Sequence, residues 1–190
     1  MGEGSASFIA RIAGEGGGFT LPSFMLVVAE TRASGEAQLD MAGARPKLTL
    51  RLAAENLALP GPDLTDQEPL PLAVLAVLAG LDGSFALSAA RIAVLGLPPV
   101  DNAEAALVLE NGQLRIDAFR AALAGGQMEG RGVLDASAQP PRLEANFELA
   151  GASLAHPIFD LPLDLAAGRI ALAGRLAASG HAPSALVSSL

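Results

Sequence analysis

Two histidines, His156 and His181, are the only imidazoles in this chain of 190 residues. His156 stands before Pro157 and His181 after Gly180, without the HxH or HxxxH spacing that places two ring nitrogens on one metal. No Gly-x-Ser-x-Gly elbow accompanies them, and neither has an orienting partner nearby in sequence. Asp63, Asp66 and Glu68 form an acidic cluster, but a calcium loop needs more oxygen ligands at regular spacing. They read as a solvated loop before a helix N-terminus, where the dipole favours negative charge. Gly14 to Gly18 imitates a phosphate loop but lacks the following Lys-Ser/Thr. Glu144 and Glu148 share the wet face of one alternating segment. With no cysteine, disulfides, thiolate zinc and thiol nucleophiles are excluded. The expectation is no catalytic residue, no metal, no cofactor and no enzyme activity.

Composition narrows the alternatives. Twelve Lys and Arg against 20 Asp and Glu give a net charge of −8, the wrong sign for displacing phosphate counterions from nucleic acid. A hydrophobic content of 51% is too high for a disordered chain. The longest apolar run, Leu70 to Leu81, carries Pro71 and Gly80 and falls short of the ~20 residues of a membrane helix. The first residues, Met-Gly-Glu-Gly-Ser, lack the basic and apolar regions of a secretion signal.

The elements that must carry any function announce themselves by period-2 alternation. In Arg142 to Leu149 every odd position is apolar and every even one is charged or amide: Leu143, Ala145, Phe147 and Leu149 oppose Arg142, Glu144, Asn146 and Glu148. Leu48, Leu50, Leu52 and Ala54 oppose Lys47, Thr49 and Arg51, and Leu114 and Ile116 oppose Gln113 and Arg115. Successive strand side chains point to opposite faces, so each segment has one oily and one wet side. About ten strands are expected, over residues 5–13, 24–31, 35–42, 46–54, 84–95, 103–110, 113–122, 127–136, 142–150 and 168–178. Asn111-Gly112 marks a tight hairpin. Ala33-Ser34-Gly35, Gly43-Ala44, Gly125-Gly126 and Gln139-Pro140-Pro141 read as further connections. The Ala/Leu-rich stretch near 69–80, with Pro near its start and Gly at its end, predicts one short buried helix.

The expected architecture is mainly β: one module over 1–190, a curled antiparallel meander forming a taco-like or sandwich-like apolar groove. Sub-units 1–60 and 81–190 would be joined by a loop and short helix over 61–80. Ten strands spaced ~4.8 Å apart make a sheet about 45 Å wide, and one helix about 10 Å across covers little of it. The remaining oily face must meet the other half of the sheet, another protein segment or lipid chains.

The motif Leu107-Val108-Leu109-Glu110-Asn111-Gly112-Gln113-Leu114, followed by Gly125-Gly126-Gln127-Met128-Glu129-Gly130, resembles the C-terminal region of AsmA family proteins. Leu134-Asp135-Ala136, Pro141-Arg142-Leu143, the Ala150 to Leu154 exit and Gly168 to Gly180 continue that pattern in order. The resemblance implies a β-rich periplasmic module of a larger protein anchored in the bacterial inner membrane. It implies a groove for phospholipid transport toward the outer membrane, or for outer-membrane lipid homeostasis, with phospholipid acyl chains as partners. Because the chain lacks the anchor, it is expected to be a piece of a longer protein. The groove lining expected is Leu107, Leu109, Leu114, Ile116, Phe147, Leu149, Ile170 and Leu172. The rival expectation is a structural or protein-interaction module of an envelope protein, whose edge strands pair with neighbouring repeats or subunits.

Overall fold

The computed structural model describes residues 6–15, 17–28, 31–59, 80–94, 98–153, 169–180 and 189. Eleven strands follow one another: β1 Ala6–Ala10, β2 Ala13–Glu15, β3 Gly18–Val28, β4 Thr31–Asp40, β5 Lys47–Leu59, β6 Asp82–Val94, β7 Val100–Glu110, β8 Gln113–Leu123, β9 Gly126–Asp135, β10 Arg142–Ala152 and β11 Ile170–Ser179. They form a single open, curled sheet in the order β1-β3-β4-β5-β6-β7-β8-β9-β10-β11, with β2 hydrogen-bonded to β3. There is one layer among the described residues, so the taco-like expectation holds and the sandwich does not. The helix expected near 69–80 lies outside the described residues, apart from Gly80.

Neighbouring strands pair antiparallel with one exception. β5 and β6 run parallel, Lys47 beside Asp82 through to Leu59 beside Val94. The pure antiparallel meander is therefore corrected. A hairpin turn reverses the chain, whereas 22 intervening residues allow it to return along the sheet and restart in the same direction.

The turns follow the chemistry of their residues. Asn111 and Gly112 have φ of 52° and 81°, the left-handed pair of a tight hairpin. The next hairpin turns on Ala124 and Gly125, one residue earlier than expected. Ala33-Ser34-Gly35 is not a turn at all; it lies inside β4. Strands reach 10 to 13 residues from β3 onward. In several of them bulges absorb the positions where alternation slips. The register shifts at Leu21/Phe24, Ile116/Phe119 and Leu149/Ala152, and twice between β7 and β8, at Asp101/Glu104 and Ala106/Leu107. At the first two, both intervening residues are exposed, Pro22-Ser23 and Asp117-Ala118, so the flanking apolar residues stay on one face. Each bulge bends its strand and adds twist, which curls the sheet.

The core is correspondingly thin. Ala33, Ala89, Ala103, Ala121, Ala152 and Ala178 are buried, with Leu149 and Leu109. Among the described residues, Leu109 alone is a large side chain fully buried. The accessible surface is 12895 Å², against roughly 8,400 Å² for a compact globular protein of this mass.

One end of the sheet is stapled by Asp82, the first residue of β6. Its carboxylate accepts the Arg45 guanidinium at 3.0 Å from the β4–β5 connection. It also accepts the Asn111 N–H at 3.0 Å from the β7–β8 turn. Its own N–H donates to Pro46 O at 3.0 Å. The parallel junction is thus tied to both neighbouring turns. We expect Asp82→Ala to cost about 1–3 kcal/mol. Urea unfolding should show a lower midpoint with an unchanged slope.

Candidate functional site

Register carries the apolar residues of nine strands into three continuous rows. The first runs Phe19, Leu39, Leu48, Gly83, Leu109, Leu114, Leu134, Leu143, Ala178. The second runs Leu21, Ala37, Leu50, Phe85, Leu107, Ile116, Gly132, Ala145, Leu176. The third runs Phe24, Gly35, Leu52, Leu87, Ala105, Phe119, Gly130, Phe147, Gly174. Directly paired residues share a face. The rows therefore form one field about 38 Å wide, eight strand spacings, on which no side chain is polar.

The expected lining residues all fall on this face. Leu109 pairs with Leu114 and Leu107 with Ile116. Leu149 pairs with Leu172, and Phe147 lies opposite Gly174. Ile170 joins beyond the last bulge, opposite Ala152. They differ in access. Leu109 is 1% exposed and serves as core, whereas Phe147 is 39% and Leu172 53% exposed. The sequence-based lining also omitted half of the field: Leu39, Leu48, Leu50, Leu52, Phe85 and Leu87 come from β4 to β6, which show the same alternation.

Glycines set the relief of the field. Gly35 faces Phe24, Gly130 faces Phe119 and Gly174 faces Phe147 across adjacent strands. A Cβ on Gly174 would collide with the Phe147 ring. A Cβ on Gly35 would collide with both the Arg51 carbonyl and the Phe24 ring. The Phe24 and Phe147 rings thus lie over their neighbours instead of standing on the sheet, keeping the apolar surface low. The signal was present in sequence as glycines at apolar positions of alternating strands, though Gly35 read as a turn.

The opposite face is wet. Arg51 pairs with Glu36 at 2.9 Å, Arg120 with Glu129 at 3.4 Å and Arg175 with Glu144 at 3.6 Å. These exposed pairs keep the face hydrated more than they stabilise the sheet. A shallow depression of about 680 Å³ lies against β4 to β8, lined mainly from this face by Ser34, Ala53, Ser88, Glu104 and Arg120. Alternation gave no hint of it. The carboxylates of Glu144 and Glu148 are exposed on this side. His156, His181, Asp63, Asp66 and Glu68 lie outside the described residues.

Asp135 closes β9. One carboxylate oxygen accepts the Ser137 hydroxyl at 2.6 Å, the Ser137 N–H at 2.9 Å and the Ala138 N–H at 3.1 Å. The other accepts Gln113 from β8 at 3.1 Å. These donors, the Ser137 hydroxyl foremost, hold its pKa below the ordinary aspartate value.

The family model for the AsmA family matches residues 65–161, half of the chain. The chain belongs to the AsmA family. The match takes in β6 to β10, where the three rows are continuous. Comparison with curated proteins and with solved structures gave no match.

Two outcomes follow for this AsmA-family sheet. Gly35→Ala should cost about 1–3 kcal/mol through overpacking, read as a lower thermal midpoint. A depressed aspartate pKa stabilises above the unfolded value near 3.9 and loses that contribution as pH falls through the folded value. Asp135→Asn should therefore flatten the acid limb of the stability profile below about pH 4. An acid limb parallel to the wild type's would contradict this role.

Proposed function

We propose that this chain is a non-catalytic module whose apolar face receives phospholipid acyl chains. In this reading it works in the periplasm, within a parent protein anchored in the inner membrane. It contributes to lipid passage between the bacterial inner and outer membranes, or to outer-membrane lipid homeostasis. The observation that carries the reading is the field of three rows, unbroken by a polar side chain, on a sheet that has no second layer among the described residues. Membership of the AsmA family supports it.

The chemistry fits hydrocarbon. A small polar ligand needs convergent donors and acceptors, and this face offers methyl, methylene and ring surface. Each acyl methylene moved from water onto it gains about 0.8 kcal/mol. Ten methylenes thus bring about 8 kcal/mol before the cost of immobilising the chain. The lack of directional contacts lets a chain slide along the rows, as passage of lipid requires. The edges support a second role. β1 and β11 each have a single sheet neighbour among the described residues, so adjoining segments can extend the sheet and its face by strand pairing.

Native mass spectrometry after gentle extraction tests the reading. The wild type should carry phospholipid adducts. Ile116→Glu or Leu114→Glu should remove them while cooperative unfolding persists. A wild type free of lipid would overturn the proposal.

A further inference from the structure

Asn111 is followed by Gly112 and Asp82 by Gly83, and nowhere else in the chain does glycine follow asparagine or aspartate. Such dipeptides are prone to close on themselves. Glycine has no side chain to hinder its nitrogen, which attacks the preceding side-chain carbonyl carbon and forms a five-membered succinimide. At Asn111 the Gly112 nitrogen bonds to Cγ, and its proton leaves with the side-chain amide as ammonia. At Asp82 the Gly83 nitrogen bonds to Cγ, and water leaves. Water then opens either ring at one of its two carbonyls, giving aspartate or isoaspartate.

The fold puts these two dipeptides in direct contact. An Asp82 carboxylate oxygen accepts the Asn111 N–H at 3.0 Å, and Arg45 holds the same oxygen at 3.0 Å. The Asn111-Gly112 turn is left-handed, with φ of 52° and 81°. Its far end is tied as well, because Gly112 O accepts the Ala136 N–H at 3.0 Å. Pinned on both sides, the peptide between them cannot swing the Gly112 nitrogen toward Cγ. Asn111 is exposed, but Gly112 is buried, with Ser137 Cβ 3.5 Å from where its own Cβ would stand. Gly83 is buried too, and Leu48 O lies 2.6 Å from the place of its Cβ. The Asp82 carboxylate, engaged by two donors, resists attack, because ring closure requires one of its oxygens to leave as water.

We propose that Asn111 and Asp82 are paired sites of succinimide formation, each guarded by the hydrogen bond they share. Opening that bond frees the Asn111 peptide to close. The isoaspartate that results adds a methylene to the backbone inside a two-residue turn. The altered turn no longer presents its N–H to Asp82, so the second site loses its guard after the first. Both sites border the first apolar row, where Gly83 pairs with Leu109 and Leu109 with Leu114. Modification thus disturbs the register at Leu109, which is 1% exposed. The inference does not depend on what the apolar face binds.

Ageing the full chain at mildly alkaline pH tests it, with isoaspartate located after digestion by electron-transfer fragmentation. Asn111 in the folded wild type should convert at least about ten-fold more slowly than in a peptide spanning Leu107 to Ile116, since only locally opened molecules react. Asp82→Ala should raise the rate about ten-fold. Gly35→Ala, which strains the sheet away from this turn, should leave it unchanged. Deamidated chains, separated by their added negative charge, should carry more isoaspartate at Asp82 than unmodified chains of the same age. Conversion at the peptide's rate, equal rates in the wild type and Asp82→Ala, equal acceleration by Gly35→Ala, or isomerisation at Asp82 independent of Asn111 would each overturn the proposal. So would an Asn111 amide that exchanges with heavy water as fast as in the peptide, a measurement that needs no variant.

Discussion

A sheet with one apolar face persists in water only when something limits the contact of that face with solvent. In most domains a second layer of helices or strands does so. Here the described residues make one layer, and the apolar field spans nine of its strands. Everything else in the structure bears on that field: which side chains stand on it, how low they lie, and what else meets it.

The chain reduces the problem before any partner arrives. Curling turns part of the sheet's surface inward, and bulges at Pro22-Ser23, Asp117-Ala118 and Ala150-Gly151 keep apolar residues in register as the strands bend. The buried positions are mostly alanine, and glycines let Phe24 and Phe147 lie across neighbouring strands. The result stabilises the backbone ladder with little side-chain core. It leaves leucine, isoleucine and phenylalanine on the face proposed to meet hydrocarbon. The Asp82 staple matters for the same reason: a thin sheet depends on local polar ties at its ends.

Much of this was legible in the residues. The alternation of Lys47 to Ala54, Gln113 to Ile116 and Arg142 to Leu149 placed strands and sorted their faces, and Asn111-Gly112 fixed a hairpin. What escaped was non-local. The parallel pairing of β5 with β6 depends on where the chain returns, which no window of sequence contains. Gly35 looked like punctuation because its reason for being small, the ring of Phe24, sits on another strand. Pro22-Ser23 hid the first half of β3 because a bulge resembles a break in alternation. The lining was found only from β7 onward because the motif that suggested it lay there, although β4 to β6 carry the same pattern.

The central claim is that hydrocarbon meets one face of this sheet and not the other. A phospholipid bearing a photoactivatable diazirine in its acyl chain tests it residue by residue. After illumination and digestion, adducts should map to Leu52, Leu87, Ile116, Leu134 and Phe147, leaving Thr49, Arg115 and Glu144 unlabelled. Equal labelling of both faces, or a folded protein with no adduct on the rows, would contradict the account.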